Sequence, residues 1–144
     1  MDKLTLDQVS TIMDAALAKS AELNFKPLTV VVLDDGGNIK GLKREDGAGP
    51  IRPQIAFGKA WGAVGMGVSS RLLEKAALER PHFINSLGPA SGGRVIPVAG
   101  GVLIRDAEGV IIGAVGISGD ISDNDETCAV AGIEAAGLTA DTGQ

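Results

Sequence analysis

The chain has 144 residues and a formal net charge of −5, with 13 Lys and Arg against 18 Asp and Glu. Its length favours a single domain over residues 1–144 with a core of its own. The acidic balance repels phosphate backbones and anionic membrane surfaces, and three Phe, one Trp and no Tyr are too few for a base-stacking surface. We therefore expect neither nucleic acid nor a membrane as a partner.

Cysteine and histidine each occur once, as Cys128 and His82. A lone cysteine excludes an intrachain disulfide and a zinc site of several thiolates, and a lone histidine excludes a multi-histidine metal site within one protomer. We therefore expect no metal, and Cys128 is interpreted as a small buried hydrophobe. The sequence shows no secretory signal and no apolar run long enough to span a membrane, which predicts a cytoplasmic protein.

The first predicted element is a helix over about residues 6–23. Thr5 and Gln8 form a capping box in front of it, and Asn24 before Pro27 is typical of a left-handed helix end. An apolar stripe at steps of three and four residues predicts its buried face: Val9, Ile12, Met13, Ala16, Leu17 and Ala21.

A hairpin and a second helix follow. Residues 28–33 and 39–43 read as strands around the Asp/Gly/Asn turn at 34–38, and a charged loop over 44–50 leads to a helix over 51–67. That helix is interrupted by glycines, which indicates close packing against another element: Gly58, Gly62, Gly65 and Gly67.

The second half of the chain predicts one short helix, a second hairpin and a last helix. Ser69 or Ser70 caps a helix over 71–80 that Pro81 helps to end, and residues 82–94, which lack periodicity, are interpreted as a functional or interface loop. Strands are predicted over 95–104 and 110–117. A capping box at Asp123–Glu126 opens a helix to about Ala136, and a polar tail ends the chain.

Two hairpins among helices predict an α+β fold with a mainly antiparallel central sheet. Within it, the glycine-rich run Gly113–Gly119 superficially matches a phosphate-binding loop. The acids that follow oppose that interpretation, because they already occupy the helix entrance as capping residues: Asp120, Asp123, Asp125 and Glu126. We therefore interpret the run as a tightly packed strand that lets a backbone or a flat ligand approach.

A second constellation joins Arg44, Asp46, Arg52 and Lys59. The cations are suited to holding a carboxylate or another anion, and Asp46 to moving a proton or orienting a cation; the alternative is a solvated loop with surface ion pairs. His82 is either a haem ligand, a general base or an exposed loop residue.

Five segments in order along the chain carry a family resemblance: Val30–Gly37, the Arg44–Asp46 loop, Lys59-Ala60, Pro97–Gly101, and Gly113–Gly119 with Asp125-Glu126. Through them the sequence resembles the GlcG/HbpS-like family over roughly residues 4–137. The resemblance implies a profilin-like three-layer α/β/α fold and a homo-oligomer. Members are described as haem-binding or haem-degrading proteins, as partners of a sensor system, as the C-terminal domain of PduO-type cobalamin adenosyltransferases, or as companions of glycolate-utilisation genes.

The chain lacks a histidine that ligates haem in some of these relatives. Where a histidine in their first helix ligates haem, this sequence has no histidine between residues 1 and 81. His82, Met66 or a weak oxygen ligand would have to substitute. Three aromatic residues are left to line an apolar pocket: Phe57, Trp61 and Phe83.

Our leading hypothesis is a small-molecule-binding protein whose ligand is a small organic acid. Arg44 and Lys59 would hold the anion, Asp46 would exchange a proton and His82 would gate the site. Asp46, Lys59 and His82 are the candidate catalytic residues, and the candidate ligand-binding residues are Arg44, Arg52, Trp61, Gly100, Gly101, Gly116, Ser118 and Gly119.

If the protein is an enzyme, this inventory fits cofactor-independent acid/base chemistry: tautomerisation, addition/elimination or hydrolytic deamination. One alternative is a haem- or tetrapyrrole-binding protein without turnover, for which haem would be the cofactor. The other is a regulatory subunit that acts through protein contacts.

Overall fold

The computed structural model describes residues 3–144. Its elements follow in the order α1 (Leu6–Glu22), β1 (Thr29–Asp34), β2 (Ile39–Arg44), α2 (Arg52–Met66), α3 (Ser70–Glu79), α4 (Pro81–Ala90), β3 (Gly101–Arg105), β4 (Ile111–Ser118), α5 (Ser122–Ala135) and β5 (Thr139–Asp141). This confirms the predicted α+β class and both hairpins.

The strands form one 5-stranded sheet in the order β2-β1-β4-β3-β5. Every neighbouring pair is antiparallel. β4 and β1 are the inner strands next to the site described below, and β2 lies at an open edge. The register of β1 places Thr29 opposite Arg44 of β2 on one side and opposite Ser118 of β4 on the other.

The sheet lies between two helical layers. Because side chains alternate along a strand, Val30 and Val32 of β1 pack with α1 and α5, whereas Val31 and Leu33 pack with α2. The α1/α5 side holds the larger aliphatic core. α3 and α4 contact each other and lie on the α2 side of the sheet.

α1 is built as its sequence predicts. Thr5 accepts a hydrogen bond from the Gln8 backbone N–H, and the Gln8 side chain accepts one from the Thr5 N–H, so the capping box is complete. The predicted stripe is buried at Val9 and Ile12. Asn24 has a φ of 56° after the helix, as expected of a left-handed end.

The prediction of a loop over residues 82–94 is wrong for most of its length, because α4 covers Pro81–Ala90. Pro81 begins this helix rather than merely ending α3, which suits proline because the first helical turn needs no N–H donor there. Ile84 is buried, but Gly88 and Pro89 hide the helical periodicity in the sequence.

The strand predicted over 95–104 begins only at Gly101. Before it, the Ile96 N–H donates to the Gly58 carbonyl oxygen at 3.1 Å, so this segment covers α2 instead of pairing in the sheet. The polar tail, by contrast, forms the short strand β5, which pairs with β3. Local periodicity predicts neither outcome, because both depend on tertiary contacts: those of residues 95–100 with α2 and those of β5 with β3.

Candidate functional site

One row of side chains crosses the sheet on its α2 side, at the end where β4 stops. It consists of Arg44, Thr29 and Ser118, which are direct cross-strand partners on β2, β1 and β4. Directly opposed residues share a face, and adjacent strands lie about 5 Å apart, so the three side chains are neighbours. The antiparallel register therefore brings together two sequence-predicted residues that are 74 positions apart, Arg44 and Ser118.

The first residue of α2 adds a second cation to this row. The Arg52 guanidinium donates to Ser118 Oγ at 3.1 Å. α2 starts without a side-chain cap and has no acidic residue in its first turn. Within residues 3–144, neither Arg44 nor Arg52 forms an ion pair with a carboxylate. This end of the sheet therefore carries two guanidinium groups that no ion pair within the described residues neutralises, in a chain of net negative charge.

Thr29, between the two arginine positions, carries a buried hydroxyl that lacks a partner. Its side chain is fully buried, and no group in the described part of the chain accepts from or donates to Thr29 Oγ1. Buried hydroxyls are nearly always hydrogen-bonded, so such an exception needs a cause. Thr29 was not predicted as a site residue, because a threonine in a β-branched run is typical of an ordinary strand.

Lys59 lies deeper, in a buried ion pair with Asp125 of α5. Its Nζ is 3.1 Å from Asp125 Oδ2 and donates to the Ile117 carbonyl oxygen at 2.9 Å, and the two side chains are only 3% and 1% exposed. Burial lowers the pKa of Lys59, and burial raises the pKa of Asp125; in each case the partner's charge opposes the shift. The pair joins α2 to the start of α5.

The predicted capping box at Asp123–Glu126 is wrong. Ile121 is the N-cap of α5 and makes no side-chain cap bond. Asp125 instead accepts from the Asp120 N–H at 3.0 Å as well as from Lys59, and Glu126 accepts from Arg71 Nε at 2.8 Å. These acids are tied to cations of α2 and α3, which the spacing of residues around one helix start does not reveal.

The glycines chosen from the sequence set how closely α2 lies on the sheet. A Cβ at Gly116 would meet the Ala56 carbonyl oxygen, and one at Gly101 would meet the Lys59 carbonyl oxygen. A Cβ at Gly100 would lie 2.9 Å from Lys59 Nζ, and one at Gly119 would meet the Pro27 carbonyl oxygen. In this structure the close approach is made by protein backbone and Lys59, which fixes the depth of Lys59 and the position of Arg52.

A groove runs beside α2, next to the end of the sheet that carries Arg44 and Arg52, which we call the arginine end. Its volume is about 360 Å³, within the range of small-molecule sites, and it opens between the edge strand β2 and α2. Its walls are formed by Ile39, Leu42, Pro53, Gln54, Phe57, Gly93 and Arg94.

A second cavity of about 200 Å³ follows beyond Arg94, which lines both. Trp61 and Met66 are in its wall. The Arg94 guanidinium lies over the Trp61 ring, with Cζ 4.2 Å from the ring centroid. Trp61, which was predicted from the sequence, thus lies at an apolar cavity. Arg94 was not predicted, because it follows two glycines in a stretch without helical or strand periodicity.

Of the candidate catalytic and ligand-binding residues, Trp61 lines the second cavity and none lines the groove. His82 is exposed in the first turn of α4 and lines neither the groove nor the second cavity. Asp46 is exposed in the loop after Arg44. Their candidate roles as proton carriers stay predictions.

Residues 3–144 contain no group of three or more His, Cys, Asp and Glu side chains placed to hold a metal ion. None of their helices has the length and apolar character needed to cross a membrane.

The fold of this chain is similar to that of several solved structures. A PduOC:heme complex has a TM-score of 0.85 at 25% identity, covering 96% of this chain and 98% of that one. The Klebsiella pneumoniae protein ORFY has a TM-score of 0.85 at 26% identity, with 95% and 92% covered. A double mutant of Streptomyces reticuli HbpS has a TM-score of 0.79 at 27% identity, with 93% and 87% covered.

A search of curated proteins gave no significant match. The family model described as haem degrading protein HbpS-like matches residues 4–134, which is most of the sequence. The chain therefore belongs to the HbpS-like family.

Proposed function

We propose that the protein binds a small organic anion at the sheet end formed by Arg44, Thr29, Ser118 and Arg52. The observation that carries this proposal is the buried Thr29 hydroxyl without a partner, in a row with two arginines that have no carboxylate partner among residues 3–144. A carboxylate accepts hydrogen bonds from hydroxyl and guanidinium groups alike, and charge-assisted bonds of this kind are the stronger ones. One anion that displaces the side chains covering Thr29 would satisfy all three groups.

The rest of the ligand extends into the groove. Leu42 precedes Arg44 by two residues and therefore shares its face of β2, while Pro53 follows Arg52 in α2. Both Leu42 and Pro53 line the groove. A ligand with its anionic group at the arginines would thus lay an apolar body between β2 and α2, an arrangement typical of small-molecule sites.

Acid/base turnover of this ligand is the finer part of the proposal. Asp46 would exchange the proton from the loop next to Arg44, and Lys59, which is compensated by Asp125, would act from below as a positioning residue. Tautomerisation, addition/elimination and hydrolytic deamination remain the candidate reactions. A homo-oligomer and a regulatory role through protein contacts also stay predictions.

Binding is tested by calorimetric titration with benzoate and other small carboxylates. We expect Arg52→Ala and Thr29→Val to weaken the affinity at least about tenfold, since each removes a hydrogen bond to a charged group. Lys75→Ala, which removes an exposed cation of α3, is the matched control and should leave the affinity unchanged. Equal affinities in all four proteins would refute the site.

Haem is the second candidate ligand, because a relative of 25% identity is a heme complex and the family is described as haem degrading. Only part of the chain fits this group. His82 lines neither cavity, whereas the Met66 thioether lines the second cavity together with Trp61. Met66 would therefore be the residue of this cavity that holds haem, which would supply redox and oxygen chemistry when bound.

A haem titration followed by absorption spectroscopy tests this candidate. We expect a saturable Soret shift in the wild-type protein that Met66→Leu alters and His82→Ala leaves intact. A shift lost in His82→Ala would transfer the role to His82. A spectrum of free haem at all ratios would remove haem as a ligand.

A further inference from the structure

Trp61 is sandwiched between two parts of the chain. The indole Nε1 lies 2.8 Å from the position of a Cβ at Gly37, so the turn between β1 and β2 supports the ring, and Gly37 has a φ of 78°. Arg94 covers the ring with its guanidinium, and Arg94 Nε donates to the Ser91 carbonyl oxygen at 2.6 Å. One side of this packing belongs to the sheet, and the other belongs to the segment after α4.

Hydrogen bonds to one residue hold Arg94 in place: its backbone N–H donates to Ser91 Oγ at 3.1 Å, and its Nε donates to the Ser91 carbonyl oxygen. Arg94 is an exposed residue, and its guanidinium makes no ion pair with a carboxylate in the described part of the chain. Gly92 and Gly93 precede it with φ values of 68° and 82°, and a Cβ at either would meet nothing. Since Arg94 lines both the groove and the second cavity, its displacement would join the two along the Trp61 ring.

The wall of the groove leads from the arginine end to this ring. Pro53, Phe57 and Trp61 are spaced at four-residue steps and therefore form one stripe of α2. Arg52 and Trp61 are separated by nine residues, or about 13 Å of helix. Ile39 and Leu42 form the facing wall on β2, and both are large apolar residues that are substantially exposed.

We propose that Arg94 is a displaceable cover of Trp61 and that the site selects elongated, planar aromatic carboxylates. The inference rests on the anion site proposed above. The carboxylate binds at Arg44, Thr29 and Arg52, the fused rings follow the stripe, and the far ring replaces the Arg94 guanidinium on the indole. A cation on an aromatic ring and an offset stack of two rings are of similar strength. The exchange also breaks the hydrogen bond from Arg94 Nε to Ser91, which water replaces because Arg94 is exposed. A single-ring carboxylate is too short to reach Trp61.

Calorimetric titration with anthracene-2-carboxylate and benzoate tests the proposal. We expect the three-ring compound to bind at least about fivefold more tightly than benzoate. Trp61→Leu should remove this difference. Arg94→Ala should raise the affinity for anthracene-2-carboxylate about two- to fivefold and leave benzoate unaffected, because only the longer ligand displaces the cover.

Arg80→Ala is the matched control. Arg80 also lies over an aromatic ring, with Cζ 4.8 Å from the Phe83 centroid, but it lines neither the groove nor the second cavity. It should change neither affinity. Because Trp61 is the only tryptophan and the chain has no tyrosine, acrylamide quenching of its fluorescence reports the cover directly and should increase in Arg94→Ala.

The outcomes separate this inference from the anion site. If both carboxylates depend on Arg52 but bind equally well, the anion site stands and the selection of elongated ligands is overturned. If Arg94→Ala weakens binding of anthracene-2-carboxylate, Arg94 is a direct ligand contact and not a cover. If neither compound binds, the anion site itself fails.

Discussion

The two faces of the sheet are packed in different ways. On the α1/α5 side, aliphatic side chains fill the space, with Ile12, Ile133 and Val9 among the fully buried ones. On the α2 side, alanines and glycines bring the helix backbone almost onto the strands, and the core there is small. One face gains stability from buried volume, whereas the other uses short side chains to set backbone and charged groups at fixed depths.

Two polar contacts lie at one end of the α2 layer, and one of them joins this layer to α5 on the other side. The buried Lys59–Asp125 pair and the Arg52–Ser118 contact both involve α2 and the end of β4. Isolated buried charges are unfavourable, so they persist only where a partner is held in place. The α2 side therefore has a smaller apolar core and a defined set of polar contacts. Three predictions test this difference between the two sides of the sheet.

The largest expected effect comes from breaking the buried pair. Asp125→Ala leaves the Lys59 ammonium buried without its carboxylate and should lower the free energy of unfolding by about 3–5 kcal/mol. Urea unfolding at pH 7 measures it. The double variant Lys59→Met/Asp125→Leu removes both charges and should recover most of the loss. A single variant within about 1 kcal/mol of wild type would contradict the role given to the pair.

A smaller effect is expected from filling the space between α2 and the sheet. Gly116→Ala puts a methyl group against the Ala56 carbonyl oxygen, and separating the helix from β4 should cost about 1–3 kcal/mol. Gly88→Ala is the control, because it lies within α4 and its Cβ would meet nothing beyond its neighbours in the chain. It should change the free energy of unfolding by less than about 1 kcal/mol, because the gain in helix propensity is opposed by crowding of the new Cβ against the ring of Pro89. Thermal unfolding of both variants measures the contrast, and equal losses of stability would contradict it.

The smallest effect concerns Asp120, at the start of the same polar region. Its carboxylate accepts hydrogen bonds from the Lys26 and Ile121 N–H groups, which lower its pKa. A depressed pKa in the folded state stabilises the protein above the unfolded value of about 3.9, and this stabilisation is lost as the pH falls below it. Asp120→Asn should therefore be less stable than wild type at pH 7, with a difference that shrinks by pH 3. Urea midpoints that differ equally at both pH values would show that ionisation plays no part.

Local signals predicted most of the fold. The capping box at Thr5, the turn residues between β1 and β2, and the β-branched strands each specify their element through contacts within a few residues. α4 was not predicted, because Gly88 and Pro89 mask its helical pattern. Residues 95–100 were predicted as strand from their apolar side chains, which in the structure cover α2 instead. In both cases tertiary packing overrides the local pattern.

The candidate site was predicted in part. Arg44, Arg52 and Ser118 were chosen from residue type and are brought to one end of the sheet. Thr29 and Arg94 were not predicted. A strand threonine and a loop arginine become site candidates only once the structure shows their neighbours, which are Arg44 and Ser118 for Thr29 and Trp61 for Arg94. Lys59 was chosen as an anion-holding cation, and the structure pairs it with Asp125.

The sequence by itself determined the acidic, cysteine-poor composition, the order of helices and hairpins, and the residues with useful chemistry. Only the tertiary structure decided which of them meet. The antiparallel register aligned Arg44, Thr29 and Ser118 across three strands, and the glycines let α2 approach closely enough to bury Lys59 and present Arg52. The physical reason is range: caps and turns act over a few residues, whereas register, burial and charge pairing join residues that the chain keeps far apart.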